Sequence, residues 1–389
     1  MTNEKPVGHQ VPSRPRLLYI DNLRILLTTL VIMHHFALGY GAPGDWVYNE
    51  KGPMSDISNI LMTLFLVINQ SFFMGFFFMI SSYFSPGSVD RKGSRVLLID
   101  RLKRLGIPLL FYMFVINPLT LYPVEKLYGF TGTLGEMFSL FLFDLRNWNF
   151  GVMWFVATLL FFALVYLIWR QLAKSSDSPA QSEGKAPSNA AIAIFALALG
   201  VATFIVRIWI PVGYQVPLLN IQPPHFVQYI ALYIVGIIAY RRDWFEKLSD
   251  SQGKTWLVVV LVLIVLFPVL FIAGGAMEGA LEPFFGGLHW QNFAYAVWEE
   301  FMCVAMTITL LVWFRKRFAE QGPLAQAMSG GAYATYVFHP VVIVWLAVAL
   351  RGIRLDMALK YVLVVPFAVG LAFLTGYLVK KLPVVRSIL

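Results

Sequence analysis

Asp21, Arg24 and His35 are ionisable side chains set in an apolar stretch that runs from Leu17 to about Leu38. In an α-helix the eleven residues from Arg24 to His35 return to within about 20° of the starting direction, about 16 Å further along the axis. Asp21, three residues before Arg24, falls on the same side. The three therefore form one polar stripe, and the adjacent His34 points about 100° away from His35. A charge inside a membrane-length apolar segment costs at least ~2.5 kcal/mol, so it faces a bundle interior and has a partner or a task. Two chemistries fit. Asp21 and Arg24 can be a structural pair, with the histidines hydrogen-bonded between helices. Alternatively His35 is a general base, since imidazole titrates nearest neutrality, and Arg24 holds an anionic or carbonyl group on the same path.

Other apolar stretches carry further candidates. Glu299 and Glu300 are adjacent, so their side chains point about 100° apart and at most one easily faces a shared site; that carboxylate is expected either to pair with Arg24 or to be protonated. His339 precedes Pro340, whose missing N–H loosens the turn around Tyr336. It is either a packed histidine at a kink or a second polar group lining a path through the bundle. Arg101 and Arg104 are three apart, hence on one helix face. They are either interfacial anchors with snorkelling stems or a pair of guanidiniums suited to phosphate. Arg207 is expected to be an anchor at the outer end of its helix. Cys303, the one cysteine, has no activating base nearby in sequence. It excludes a disulfide framework and a Cys-based zinc site, and no metal-ligand spacing appears.

The elements that position these residues follow from composition. Of 389 residues, 58% are hydrophobic and 13% charged, against roughly 25% charged in soluble domains, and the mean hydropathy is +0.69. This excludes a secreted soluble domain, a disordered chain, a collagen and a nucleic-acid-binding module. The net charge of +9 fits basic cytoplasmic loops. Apolar stretches near 17–39, 58–84, 105–122, 138–169, 189–210, 225–240, 255–274, 291–314, 329–350 and 358–379 predict about ten membrane-spanning helices in an all-α polytopic bundle. Helices are expected because backbone groups cannot stay unpaired in lipid and the period-2 pattern of a barrel is missing. The first stretch is too long for a signal-peptide core. Under alternating topology most of the Lys and Arg, among them Arg91, Lys92, Arg95, Arg315, Lys316 and Arg317, fall on one side. That places both termini in the cytoplasm. Residues 1–16 are then a cytoplasmic tail, 17–380 a single transmembrane domain and 381–389 a second tail. Ser175 to Ser188 is rich in Ser, Pro and Ala and predicts a flexible loop.

Several motifs resemble those of one family. Tyr19-Ile20-Asp21-Asn22-Leu23-Arg24 with His35 is similar to the opening of the acyltransferase 3 family of integral membrane O-acyltransferases, whose first helix carries Arg, ten residues, then His. Ser71-Phe72-Phe73-Met74-Gly75, Asp100-Arg101-Leu102-Lys103-Arg104, Met153-Trp154-Phe155-Val156, Gln228-Tyr229-Ile230, Trp298-Glu299 and Tyr336-Val337-Phe338-His339-Pro340 resemble further family motifs, in the family's order. The resemblance extends over nearly the whole chain and is greatest to a subgroup that includes periplasmic glucan succinyltransferases.

The resemblance implies an inner-membrane enzyme that passes an acyl group from cytoplasmic acyl-CoA to a hydroxyl of an extracytoplasmic glycan or related acceptor. It implies His35 as the base, Arg24 orienting the donor and Glu299 as a further site carboxylate. It also implies Arg101 and Arg104 on the CoA phosphates, with His339 lining the donor path. The chain ends soon after the tenth stretch, so no appended extracytoplasmic domain is expected. On physical grounds alone the same buried charges also fit a transporter of a glycan precursor or small anion, with Asp21, Arg24, Glu299 and His339 as a relay.

Overall fold

The computed structural model describes residues 16–173, 184–386 and Ile388. Apart from Arg16, the predicted N-terminal tail lies outside the described residues, as does most of the Ser175–Ser188 loop. Among the described residues ten helices are long and apolar enough to cross a membrane. They are α1 (Leu18–Gly39), α2 (Asp56–Tyr83, continued to Lys92), α3 (Ser94–Leu127), α4 (Trp154–Leu172), α5 (Asn189–Trp209), α6 (Phe226–Arg242), α7 (Asp250–Ala273), α8 (Trp290–Arg317), α9 (Pro323–Ala349) and α10 (Met357–Lys380). No strand occurs among the described residues. The protein is an all-α polytopic bundle.

Two of the expected spans differ in shape. The stretch expected at 138–169 is divided. Leu134–Phe143 is a short helix with a Thr133–Glu136 capping box, and α4 starts only at Trp154. Asp144 breaks the run because its carboxylate accepts from the Arg146 backbone N–H, a local bond that competes with the helix. The span expected at 105–122 is longer, from Ser94 to Leu127, and contains two π-helical turns at Leu102–Gly106 and Tyr112–Ile116.

Prolines account for much of this irregularity. Pro108 has no N–H, so the Arg104 carbonyl four residues back loses its helical donor; the Tyr333 hydroxyl of α9 donates to it at 2.9 Å. Pro123 frees the Leu119 carbonyl in the same way, and Trp345 Nε1, also on α9, donates there at 3.0 Å.

Helices α1, α8 and α9 are the most enclosed, and α7 and α10 face outward. α1 packs against α2, α8, α9 and α10, and α2 packs closely on α6. That last crossing requires Gly236, because a Cβ there would lie 2.0 Å from Ser82 Oγ and 2.3 Å from the Met79 carbonyl oxygen. Close approach through small residues is how membrane helices associate where burial of apolar surface gives no advantage over lipid. Gly236→Ala is expected to destabilise the bundle by about 1–3 kcal/mol through overpacking, read as a lower melting temperature in detergent. Unchanged melting would show that α6 shifts without cost.

Candidate active site

The end of the bundle where α1 begins is called here the near end, and the opposite end the far end. His35 lies in the second half of α1 and lines a cavity of about 430 Å³ that reaches the far-end loops. Its ring stacks on Trp46 at 4.4 Å between centroids; the His339 ring lies within 25° of parallel to it, centroids 5.2 Å apart, with His35 Nδ1 3.1 Å from His339 Nε2. The loop carrying Trp46 is tied down at several points. Glu50 donates its N–H to the Gly39 carbonyl at 2.9 Å, and its carboxylate meets the buried Lys360 ammonium at 2.6 Å. Asp356, the cap of α10, accepts from the Ser55 N–H and the Ser58 hydroxyl, and both bonds hold its carboxyl below the ordinary aspartate range.

The rest of the cavity wall is rich in amides: Gln70, Asn117, Asn149, Gln215, Asn220 and Gln222, with Trp154 beside them. Asn117 donates to Asn149 at 3.0 Å. His34 also lines the cavity, although the stripe excluded it. It is buried, stacked on Phe73 and 3.2 Å from the Asn69 amide nitrogen. His339 is fully buried behind His35 and does not line the cavity wall.

Arg24 opens elsewhere. It bonds Asp21 at 3.0 Å, lies 5.0 Å over the Phe84 ring and lines a second cavity of about 570 Å³ at the near end, with Arg16, Arg91 and Glu246. The sequence places Arg24 and His35 on one path, and the structure places them in two cavities. The separation has a simple cause. The α1 residues Leu27 and Thr28, which lie between them, are packed, and Arg24 and His35 are about three helical turns apart, too far to interrupt that layer. Arg101 reaches Ser85 at 3.3 Å, and Arg104 is exposed. The π turn that begins at Leu102 widens the helix between them, so they do not form the single stacked pair that α-helical spacing predicts.

Glu299 takes Arg207, on α5, as its partner instead of Arg24. Its Oε2 lies 2.6 Å from Arg207 Nη1, and its Oε1 lies 3.1 Å from His225 Nδ1. Arg207 is not a snorkelling anchor, since none of its side chain is exposed. Its Nε donates to the Pro224 carbonyl at 3.3 Å. Glu300 has neutral partners: the Thr203 hydroxyl at 2.9 Å and the Gln228 amide at 3.0 Å, and Gln228 also donates to the Ser71 carbonyl. This network joins α2, α5, α6 and α8 and fixes Pro224 and His225, just after the loop that gives Gln215, Asn220 and Gln222 to the cavity. Sequence spacing does not pair Arg207 with Glu299 and His225, because the three come from separate helices. Trp46 and the loop amides carry no local pattern that marks them.

The protein is thus a bundle of ten spans with a half-buried imidazole, His35, on the wall of a polar cavity. The chain belongs to the acyltransferase 3 family, whose acyltransferase domain matches residues 17–379. Among curated relatives, glucans biosynthesis protein C of Escherichia coli (strain SMS-3-5 / SECEC) is 28% identical over 259 residues, which is 63% of this chain and 64% of the relative. The protein of the same name from Escherichia coli O1:K1 / APEC is 27% identical over 280 residues, 68% and 69% of the two chains. The chain thus spans about 64% of the length of the first of these relatives. No solved structure matches it.

Removing one partner of a buried ion pair typically costs about 3–5 kcal/mol because the other charge is left uncompensated. Glu299→Ala is therefore expected to lower folded yield and detergent melting temperature, and Arg207→Met combined with Glu299→Leu to recover most of the loss. A single Glu299→Ala variant that melts like the parent would exclude a clamp.

Proposed function

We propose that this chain transfers an acyl group, such as acetyl or succinyl, from cytoplasmic acyl-CoA to a hydroxyl of an extracytoplasmic carbohydrate or related envelope acceptor, in the inner (plasma) membrane. One observation carries the reading: His35, a titratable ring in the spanning region, lines a polar cavity at the far end and is held from two sides by Trp46 and His339. The acceptor hydroxyl gives its proton to His35 while its oxygen bonds the thioester carbonyl carbon. The carbon–sulfur bond then breaks, and the proton passes to the departing CoA thiolate.

The walls suit a polyhydroxylated acceptor. Amides donate and accept in one group, and the exposed faces of Trp46 and Trp154 offer stacking surfaces. The name glucans biosynthesis protein C, borne by the relatives, points to the same acceptor class.

The near end takes the donor in this reading. The basic residues at that end support a cytoplasmic side for it. Arg24, Arg16 and Arg91 line the near-end cavity, and Arg101 is within electrostatic reach of Arg24; Arg101 and Arg104 hold CoA phosphates at its margin. Glu299 is a positioning residue that acts through Arg207 on the far-end loop, and His339 acts through His35 instead of touching the donor. Two cavities on either side of a closed layer also suit a carrier of a glycan precursor or small anion.

Purified protein given labelled acetyl- or succinyl-CoA and a glucan acceptor is expected to cleave the thioester. His35→Ala should lower transfer by about 10²–10⁴-fold, the usual contribution of a general base, and His34→Ala should retain it. Full transfer by His35→Ala would remove the base from the scheme. Movement of substrate into proteoliposomes without thioester cleavage would favour the carrier.

A further inference from the structure

His339 sits one residue before Pro340 and three after Tyr336. In an α-helix the carbonyl of residue 336 would accept from the N–H of residue 340, and proline has none. His339 Nδ1 is 2.6 Å from that freed carbonyl oxygen. A carbonyl only accepts, so Nδ1 of His339 carries a proton. The other ring nitrogen, Nε2, is 3.1 Å from His35 Nδ1. His339 is fully buried, and these two partners are a carbonyl and an imidazole. A second proton on its ring would put a charge in an apolar interior with no counter-ion at hydrogen-bonding distance, which is costly. Nε2 of His339 is therefore the acceptor and His35 Nδ1 the donor; the Val31 carbonyl, one turn back on α1, also accepts from the His35 ring and favours a proton on the same near-backbone nitrogen. The remaining nitrogen of His35, Nε2, keeps its lone pair on a ring that lines the far-end cavity.

We infer that Tyr336, His339 and Pro340 form a tautomer-setting device: proline frees a backbone carbonyl, the carbonyl orients His339, and His339 fixes His35 with its proton on Nδ1 and its basic lone pair on Nε2. His339 is thus a positioning residue, resting on the reading of His35 as the base. The arrangement resembles in logic the partner that orients a catalytic or metal-bound imidazole through its second nitrogen, with a neutral ring in place of a carboxylate.

The device is tested on the full-length protein in detergent or nanodiscs with ¹⁵N-labelled histidine. Nitrogen chemical shifts distinguish a protonated from an unprotonated ring nitrogen, and His35→Ala assigns the signal. The expected spectrum of the unsubstituted protein shows His35 protonated on Nδ1. His339→Leu keeps the volume but removes the acceptor. It is expected to release His35 into a mixture of tautomers and to lower kcat by about 10–100-fold, with KM changed much less. His339→Gln places an amide oxygen near the position of Nε2 and is expected to restore both the signal and most of the rate.

Pro340→Ala supplies a competing N–H to the Tyr336 carbonyl and is expected to shift the His35 signal while every histidine is retained. It serves as the second variant if His339→Leu folds poorly. A His35 ring protonated on Nε2 in the unsubstituted protein would overturn the inference. So would a His35 signal unmoved in both His339→Leu and Pro340→Ala. If His35→Ala still transfers acyl groups, the base assignment fails and the kinetic half of the inference fails with it; the ring signal alone then decides the tautomer.

Discussion

Each backbone carbonyl that a proline strips of its helical donor must find another, because hydrocarbon offers no water to replace it. Three such carbonyls find side-chain donors from a single helix. Tyr333, His339 and Trp345, all on α9, serve Arg104 and Leu119 of α3 and Tyr336 of α9 itself. Two of these bonds fasten α9 to the kinked α3, and the third turns the His339 ring toward α1. The position of His35 therefore depends on where prolines remove N–H groups from the helices around it. The π turns of α3 are part of the same accommodation. They let a helix with Pro108, Pro118 and Pro123 cross the bundle while it contributes Tyr112, Asn117 and Thr120 to the cavity.

The second organising feature is the charge network on α5, α6 and α8. Two adjacent carboxylates and one guanidinium lie fully buried. Glu299 receives the guanidinium and an imidazole, and Glu300 receives a hydroxyl and an amide. A buried pair of this kind adds little net stability compared with apolar residues of the same size. What it supplies is geometry. Arg207 is joined at once to α8 and to the Pro224 carbonyl, so the far-end loop has one seat on the bundle. Loops usually hold binding residues for the reason visible here: the helices are rigid and the loop is pinned to them.

Much of the architecture was legible in the sequence because hydrocarbon imposes a length and an apolar composition on every span. Ten apolar stretches correspond to ten helices, and α1 carries Asp21, Arg24 and His35 where helical spacing places them. The breaks were less legible. Asp144 ends a helix by a bond to its own neighbourhood, and the Arg104 carbonyl in the first π turn of α3 takes its hydrogen bond from Tyr333, a distant part of the chain. The partner of Glu299 was not legible at all, since pairing across three helices is decided by packing. The His339–Pro340 pair was half legible. The loss of an N–H follows from the proline, whereas the ring that replaces it and the His35 beyond that ring need coordinates.

The packed layer between Arg24 and His35 sets the remaining physical requirement. The α1 residues from Arg24 to Val31 cover about 10 Å along the axis at the rise of an α-helix, and Leu27 and Thr28 within them are buried. A closed layer keeps water and protons from leaking between the two ends, and a reactive thioester benefits from the same exclusion. For a donor seated near Arg24 to meet His35, that layer must part. A ligand shifts such an equilibrium only by its difference in affinity for the two states. On the proposed reading, the bulk of a nucleotide at the near-end rim would contact the same guanidiniums whether the layer is open or closed, so it would contribute little to opening. The slender thiol-bearing arm is the part whose contacts exist only when the layer has opened. On that reading the energy of opening would have to come from that arm and the acyl group it carries, so a loaded donor would part the layer where a bare nucleotide would not.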